Sequence, residues 1–350
     1  MKKINVGIFF GGCSPEYSVS LSSASGVILN VDQEKYNPVL IGITKKGEWY
    51  HYAGPVDKLL NDTWQNPSDC TPAVLSPNRG ENCLILLGKE GVSRIPLDIA
   101  FPVLHGGNGE DGTLQGLLEL SGIPVAGCGT LASALGMDKD RAHRLVGLEG
   151  VRVPMHLVLD PHTPMDTIES FAEKIGYPLF VKPVKAGSSY GVTKVACKEQ
   201  LSPALALAFQ YDSQALLEEN IPGFEVGCAV LGNRDLIVGE VDEIELSGGF
   251  FDFTEKYTLK TSAIHVPARI APAKAAEIKE KAKRIYRALG CTGFARVDMF
   301  LTPDGEVVFN EVNTIPGFTE HSRYPGMMKA AGHSFREVIS RILELGLEKS

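Results

Sequence analysis

Two acidic residues and an asparagine stand within apolar, strand-like stretches near the end of the chain. Asp298 lies in "GFARVDMFL", and Glu311 and Asn313 lie in "VVFNEVN". The turn "TPDG" between the two stretches predicts an antiparallel hairpin. Residues two apart on a strand share a face, so these three side chains can meet on one face of the hairpin. Hard oxygen ligands in that arrangement suit Mg²⁺ carrying nucleotide phosphates. The alternative is a pair of amphipathic strands, but acids among apolar residues are costly if buried without a cation.

An arginine shares that face. Arg296 precedes Asp298 by two residues, and its guanidinium is always charged, which suits negative charge that develops during a reaction. A second role, as counter-ion of one of the acids, is compatible with the first.

A loop of small residues is the next candidate. "AGSSYGVTKV" can bring backbone N–H groups close to phosphate oxygens. It lacks the G-x-x-x-x-G-K pattern of a Walker loop and is weak evidence alone. Two lysines strengthen it: Lys182 in the preceding "FVKP", and Lys139 in "MDKDRAH".

The composition excludes several classes of protein. The net charge of -8 gives no sign of a nucleic-acid-binding face. The seven cysteines are dispersed without a C-x-x-C spacing, which favours free thiols in a reducing compartment. No run of about 18 apolar residues predicts a membrane span. The opening "MKKINVGIFFGG" indicates a buried strand rather than a signal peptide. We therefore expect a cytoplasmic protein with no membrane or nucleic-acid partner.

Alternating strand and helix patterns predict three regions. "INVGIFF", "YNPVLIGIT" and "LDIAFPVLHG" are typical of strands of a parallel sheet with helices on its faces. Residues 51–96, rich in Asn, Asp, Pro and Gly, predict an insertion with weak local structure. "TLASALGMDKDRAHRLVGLEG" predicts one helix, and the third region is expected to hold "QALLEEN" and a C-terminal helix that packs on its strands. The domains are expected at 1–128, 129–214 and 215–350.

Two lysines, a glycine-serine loop and a three-ligand face together resemble the ATP-grasp fold, in which two α+β lobes hold ATP between them. Nearly the whole chain, moreover, resembles the D-alanine–D-alanine ligase family. The motifs that carry the resemblance are "FGGCSPEYSVSLSSA", "FPVLHGGNGEDGTLQGLLEL", "ASALGMDK", "VKPVKAGSSYGV", "EKY", "GFARVDMF" and "NEVNTIPGFTEHSRYP", in the family's order. The expected fold class is therefore mixed α/β and α+β, an ATP-grasp fold with an N-terminal parallel α/β domain.

The resemblance implies a role for each of several residues. The catalytic residues would be Glu16, Ser188, Tyr257, Arg296 and Gly317. The D-amino-acid substrates would contact His105, Asp242, Phe251, Ser322 and Arg323. ATP would contact Lys139, Lys182, Glu218, Glu225 and Lys256. The metal ligands would be Asp298, Glu311 and Asn313, for two Mg²⁺ ions with Mn²⁺ as a substitute.

In more detail, Glu16 would meet the ammonium of the first D-alanine in a hydrogen-bonded triad with Ser188 and Tyr257. His105 would lie near the carboxylate of that substrate. Arg296 and the N–H of Gly317 would stabilise the tetrahedral oxyanion that forms when a second amino acid attacks a D-alanyl phosphate. The family also implies a homodimer.

The segment "VDEIELSGGFFDFTEKY" is expected to be a lid, with two glycines for freedom and three phenylalanines for an apolar underside. Ligases that make D-alanyl–D-lactate have a histidine in place of its Glu-Lys-Tyr, so the second substrate should be an amino acid. The acidic lid and "HSRYP" resemble vancomycin-resistance D-alanine–D-serine ligases of the VanG type, in which Asp242, Phe251 and Arg323 would shape the second subsite. A housekeeping D-alanine–D-alanine ligase with an unusual lid is the alternative.

Overall fold

The computed structural model describes residues 3–246 and 262–348. Three β-sheets follow one another along the chain, each with helices packed on it. The predictions for Phe251, Lys256 and Tyr257 lie outside the described residues. No helix in the two described ranges has the length and apolar character to cross a membrane.

The N-terminal sheet has seven strands in the order β6-β5-β4-β3-β2-β1-β7. Its strands are β1 (Ile4–Gly11), β2 (Tyr36–Ile43), β3 (Trp49–Tyr52), β4 (Cys70–Leu75), β5 (Cys83–Gly88), β6 (Gly91–Pro96) and β7 (Ile99–Pro102). The helices of this region are α1 (Tyr17–Asn30), α2 (Asp57–Leu60) and α3 (Thr113–Ser121). β1 pairs in parallel with β2 and β7, as the sequence predicts, because α1 crosses over between the first two strands.

The prediction of weak local structure over residues 51–96 is wrong. The segment contributes β4, β5 and β6, which with β3 extend the sheet through antiparallel pairs. The strands are short and separated by turn residues, and pairing with neighbours supplies order that no local pattern signals. Trp64 lies in this segment, fully buried against Phe10 and Tyr52. Its indole N–H donates to the hydroxyl of Tyr17, 2.8 Å away, so the segment braces the start of α1.

The middle sheet has four antiparallel strands in the order β10-β9-β11-β8. They are β8 (His156–Leu159), β9 (Leu179–Pro183), β10 (Thr193–Val195) and β11 (Ala215–Glu219). The helices of this region are α4 (Thr130–Met137), α5 (Lys139–Leu148), α6 (Met165–Ile175) and α7 (Leu201–Ala208). β11 covers "ALLEE" of the stretch "QALLEEN", which is expected in the third region; its pairing with β8 and β9 instead places it in the middle sheet.

The single helix predicted over "TLASALGMDKDRAHRLVGLEG" is two helices. Asp138 has extended backbone and interrupts the run, and its carboxylate accepts the N–H of Arg141 at 3.0 Å as the N-cap of α5. An aspartate in the middle of a helical pattern favours this position because it satisfies an unpaired N–H of the first turn. The break places Lys139 at the first position of α5.

The third sheet has the order β15-β14-β12-β16-β17, with β13 paired to β12. The strands are β12 (Phe224–Leu231), β13 (Ile237–Val238), β14 (Asp242–Leu246), β15 (Ser262–His265), β16 (Phe294–Leu301) and β17 (Val307–Asn313). The helices are α8 (Pro272–Ala288), α9 (Arg323–Ala330) and α10 (Phe335–Leu347). The predicted antiparallel hairpin is present as β16 and β17. α4, α5 and α8 also pack against this sheet.

The C-terminal helix does not pack where the sequence analysis expects it. α10 lies against α1 and β7 of the N-terminal region, with Ile342 and Leu343 fully buried in the same core as Ile8 and Phe101. Periodicity marks the apolar face of a helix but not the sheet that covers it. The end of the chain therefore ties the third region to the first.

Gly42 tests how closely the 51–96 segment is fitted to the sheet. A Cβ at Gly42 would lie 2.4 Å from two ring carbons of Trp64 and 2.9 Å from Phe10. Gly42→Ala should therefore lower the free energy of unfolding by about 1–3 kcal/mol, since both rings are enclosed. Urea denaturation measures it. Gly326→Ala is the control, because nothing lies within 4 Å of its Cβ position; equal effects of the two variants would contradict the packing argument.

Candidate active site

One face of the third sheet carries most of the charged residues of the site. Strand register aligns Asp242 of β14, Gly227 of β12, Asp298 of β16 and Glu311 of β17 in a single row across four strands. Arg296 pairs with Asn313 in the next row on the same face. The alternation of side chains that the sequence predicts for the hairpin is thus realised, and β12 and β14 continue it.

Gly227 leaves a gap in this row, and a guanidinium fills it. A Cβ on Gly227 would lie 2.3 Å from Nη2 of Arg323 and 2.5 Å from Oδ1 of Asp242. Arg323 enters from the start of α9 and donates to both oxygens of Asp242, at 2.7 and 2.9 Å, and to Glu225 at 2.7 Å. It also lies 3.3 Å from Asp298. Burial lowers the pKa of Arg323, but the carboxylates outweigh it, so the pKa is raised well above its usual value and the group stays charged.

Asp298 is the shared partner of the second arginine. Nε of Arg296 lies 2.9 and 3.0 Å from the two oxygens of Asp298, and Nη2 lies 2.8 Å from one of them. Burial lowers the pKa of Arg296, but the charge of Asp298 raises it by more, so the net effect is a raised pKa. Asp298 is 1% exposed, so both the arginine and the acid depend on the pairing.

The donor set predicted for a metal fits a hard cation. Glu311 faces Asp298 across the hairpin. The amide N–H of Asn313 donates to Asp298 at 2.9 Å, so the amide oxygen of Asn313 is not the atom that contacts Asp298. The set has two carboxylates and an amide, the oxygen ligands that Mg²⁺ prefers. Among residues 3–246 and 262–348, no three His, Cys, Asp or Glu side chains form a metal-binding group. The metal role of the set stays a prediction.

Glu16 and Ser188 meet as the resemblance implies for two members of the triad. Glu16 is the N-cap residue of α1 and is 7% exposed. The hydroxyl of Ser188 donates to its Oε1. Ser188 and Ser189 have φ of 48° and 59°, a conformation in which consecutive N–H groups of a loop can turn to one side. The predicted glycine-serine loop thus reaches the first helix of the chain.

The two predicted phosphate lysines have different hydrogen-bond partners. Nζ of Lys139 donates to the carbonyl of Ala186 at 2.7 Å, and Nζ of Lys182 donates to Oε1 of Glu218 at 2.5 Å. Burial raises the pKa of Glu218, while the charge of Lys182 and the neighbouring His143 lower it, with a net lowering. Glu218 is therefore a carboxylate with its counter-charge in place.

A cleft of about 600 Å³ brings together most of the predicted site residues that the structure describes. Those lining it are Glu16, His105, Lys139, Ser188, Arg296, Glu311, Asn313, Gly317, Ser322 and Arg323. Asp242, Asp298 and Glu225 stand behind the arginines of this wall. Lys182 and Glu218 lie on the middle sheet.

Glu110 is a buried acid of the cleft that is not among the site residues predicted from the sequence. It belongs to "HGGNGEDG", where an acid beside Asp-Gly is typical of a solvated turn. In the structure it is 9% exposed and accepts the N–H of Gly106 at 2.8 Å and that of Ile315 at 3.2 Å. Burial and the nearby Glu16 raise its pKa to about 8. Only its position, five residues after His105 in the loop that follows β7, could have drawn attention to it.

His105 is buried and held on both sides of its ring. Nδ1 lies 2.9 Å from the carbonyl of Ile315, and Nε2 lies 3.1 Å from the hydroxyl of Ser23. Because burial lowers the pKa of His105 to about 4, the ring is neutral near pH 7. The carbonyl can only accept, so Nδ1 carries the proton and Nε2 accepts from Ser23.

Comparison with known proteins identifies the family. The model for the D-ala D-ala ligase N-terminus matches residues 5–128, and the model for the D-ala D-ala ligase C-terminus matches residues 148–344. The chain belongs to the D-alanine–D-alanine ligase family. Its fold is accordingly the ATP-grasp fold, and the cleft is lined by residues of the N-terminal region, of the glycine-serine loop and of the third sheet.

Several relatives of this ligase align over their full length. A Streptomyces coelicolor protein provisionally named a D-alanine–D-lactate ligase is 48% identical, with 99% of each chain covered. The vancomycin B-type resistance protein VanB of Enterococcus faecalis is 45% identical, with 100% of each chain covered. The VanG D-Ala:D-Ser ligase from Enterococcus faecalis, whose crystal structure is known, is 54% identical in sequence. The two structures align with a TM-score of 0.92 over 99% of this chain and 100% of that one. The resemblance to resistance-type ligases is thereby confirmed.

Because the pKa of Glu110 is raised, the free energy of unfolding should depend on pH. Folding raises the pKa from 4.5 to about 8, so between these values the folded chain holds a proton that the unfolded chain has lost. The stabilisation is complete below pH 4.5 and is lost as the pH rises to about 8. Gln cannot titrate, so the stability of the native chain relative to Glu110→Gln should fall over this interval, by at most about 1.4 kcal/mol per pH unit. Urea denaturation at a series of pH values measures this difference, and a flat difference would contradict the assignment.

Proposed function

We propose that the protein is an ATP-dependent D-alanine–D-serine ligase that makes a modified dipeptide for peptidoglycan precursors and so confers vancomycin resistance. The observation that carries the proposal is Arg323, held by Asp242 at the wall of the cleft beside Ser322. The 54% identity to the VanG D-Ala:D-Ser ligase supports it. The reaction would take place in the cytoplasm, in a homodimer, and both of these remain predictions.

In the proposed first step, the D-alanine carboxylate attacks the γ-phosphate of ATP, ADP leaves, and D-alanyl phosphate forms. Glu16 would hold the ammonium of the D-alanine, with Ser188 fixing the carboxylate of Glu16 in place. Lys139 and Lys182 would hold phosphate oxygens. Asp298, Glu311 and Asn313 would hold Mg²⁺, which neutralises phosphate charge when bound. Glu218 and Glu225 would contact the adenosine.

In the proposed second step, the amine of D-serine attacks the acyl carbon and phosphate leaves. The tetrahedral oxyanion would lie against Arg296 and the N–H of Gly317, which are fixed before the reaction and need no reorganisation. Because Arg296 is anchored by Asp298, it would present its charge at one position. An acyl phosphate hydrolyses readily, so the site must exclude water. The lid, with Lys256 toward phosphate and Tyr257 toward Glu16, would do so.

Selectivity for D-serine would come from a polar second subsite. A site that hydrogen-bonds a substrate hydroxyl disfavours an analogue that lacks it, because the polar groups of the site are then left unpaired. Arg323 and Asp242 would supply this polarity, Phe251 would shape the subsite, and Ser322 would bind the carboxylate. Tyr257 and Lys256 in place of a histidine favour an amine over D-lactate as the second substrate.

A competition assay tests the substrate. D-alanine, D-serine and D-lactate would be supplied at equal concentration with MgATP near neutral pH, and the products would be separated and identified by mass spectrometry. We expect D-alanyl–D-serine as the main product, since the second subsite is polar and the lid carries Glu-Lys-Tyr. Mainly D-alanyl–D-alanine would instead establish the housekeeping alternative. Mainly D-alanyl–D-lactate would overturn both.

Asp242→Asn tests the origin of the selectivity. The substitution removes the charge that orients Arg323, so the ratio of D-alanyl–D-serine to D-alanyl–D-alanine should fall about tenfold, while the D-alanyl–D-alanine rate changes less. Glu245→Gln is the matched control, since it changes an exposed acid on the same strand whose carboxylate pairs with Arg269. An unchanged product ratio in Asp242→Asn, or an equal loss of both products, would contradict the role of Asp242 in selectivity.

A further inference from the structure

The proposed oxyanion donor lies in a connection rather than in a regular element. Gly317 belongs to residues 314–318, between β17 and α9. A backbone N–H is useful as an oxyanion donor only if its direction is fixed before the reaction. The segment 314–318 therefore needs hydrogen bonds from outside itself.

Three side chains of the N-terminal region supply these bonds. Two residues before Gly317, Ile315 donates its N–H to Glu110 at 3.2 Å, and its carbonyl accepts from Nδ1 of His105 at 2.9 Å. One residue after it, Phe318 donates its N–H to the hydroxyl of Ser23 at 3.1 Å. The backbone on both sides of Gly317 is thus held by another part of the chain.

The three side chains also hold one another. Nε2 of His105 carries no proton in the neutral ring, so the hydroxyl of Ser23 donates to it and keeps its lone pairs for the N–H of Phe318. The second oxygen of Glu110 accepts the N–H of Gly106, which follows His105. Ser23 is 0%, His105 5% and Glu110 9% exposed, so these bonds are shielded from water and each lost partner is costly.

The packing of α1 gives independent evidence of close fit. A Cβ at Gly26 would lie 2.5 Å from the carbonyl oxygen of Phe318. Gly26 is one helical turn beyond Ser23, so both contact the same peptide segment from one face of α1. The helix that begins after Glu16 therefore also holds the segment that carries Gly317.

We propose that Ser23, His105 and Glu110 are positioning residues that form a clamp on residues 314–318 and set the direction of the Gly317 N–H for peptide-bond formation. The proposal rests on the proposed ligase function. It gives His105 a role different from contact with the substrate carboxylate, because both ring nitrogens already have partners within the protein. The clamp acts on the second step and leaves phosphoryl transfer to other residues.

The test separates the two steps. Positional isotope exchange in [β,γ-bridge-¹⁸O]ATP with D-alanine alone reports D-alanyl phosphate formation, and steady-state dipeptide synthesis reports the whole reaction. In Ser23→Ala we expect kcat for dipeptide synthesis to fall about tenfold, while the exchange rate and the KM of the first D-alanine stay within about twofold. His105→Ala should lose about a hundredfold in kcat. His105→Asn should recover part of it, since the Asn amide can replace Nδ1 toward Ile315.

Ser25→Ala is the matched control. Ser25 is a buried serine of the same helix, and its hydroxyl donates to the carbonyl of Leu21 within that helix at 2.8 Å. It should keep kcat near the native value, with circular dichroism and thermal unfolding confirming the fold of each variant. If Ser23→Ala does not fold, His105→Asn carries the test.

Three outcomes are informative. A rise in the KM of the first D-alanine at constant kcat, in the His105 variants, would overturn the clamp in favour of direct substrate contact. An equal fall of exchange and kcat would also overturn it, because the defect would not be specific to the second step. Absence of isotope exchange in the native protein would contradict the proposed function itself, before any variant is compared.

Discussion

The site depends on the guanidinium of Arg323, which occupies the space that a side chain at Gly227 would fill. Asp242, Glu225 and Asp298 bring three carboxylates to one buried place, which is costly unless a cation is placed among them. Arg323 fits there only because Gly227 has no Cβ, which would lie 2.3 Å from its Nη2. A residue of any other type at Gly227 would have to displace the arginine.

Removing one charged residue from this cluster has a different energetic cost from replacing the whole cluster. A buried charge that loses its counter-ion costs about 3–5 kcal/mol, whereas a pair replaced by well-packed apolar residues costs little. Asp298 is contacted by both Arg296 and Arg323, so the two arginines lie close to each other while each stays charged. This arrangement presents two guanidinium groups at the wall of the cleft, with their carboxylate partners behind them.

Much of this could be predicted from the sequence, for identifiable reasons. The hairpin that carries Arg296 and Asp298 has regular alternation and a strong turn signal, so strand, register and face all followed. The sequence pattern does not predict that β11 belongs to the middle sheet, because pairing of distant strands leaves no local signature. The helix break at Asp138 and the order within residues 51–96 were missed because capping and edge pairing depend on partners rather than on composition.

The missed site residues share one property. Glu110 and Ser23 act on the backbone of a segment some 200 or more residues away in the sequence, at Ile315 and Phe318. A serine within a helix and an acid in a turn are both ordinary surface residues by type, and only their burial and long-range bonds distinguish them. His105 drew attention through the motif, and the structure shows the protein groups that both of its nitrogens contact.

The cluster also joins selectivity to chemistry. Arg323, proposed for the second subsite, lies 3.3 Å from Asp298, and Asp298 anchors Arg296, proposed for the oxyanion. A substitution that moves Arg323 would therefore change the field at Asp298, and with it the charge available to Arg296 and to a cation at Glu311. Specificity in this site is more readily altered from the side of Asp242, whose carboxylate orients Arg323, than through the arginine itself. The shared carboxylate thus restricts which residues can vary without loss of the reaction.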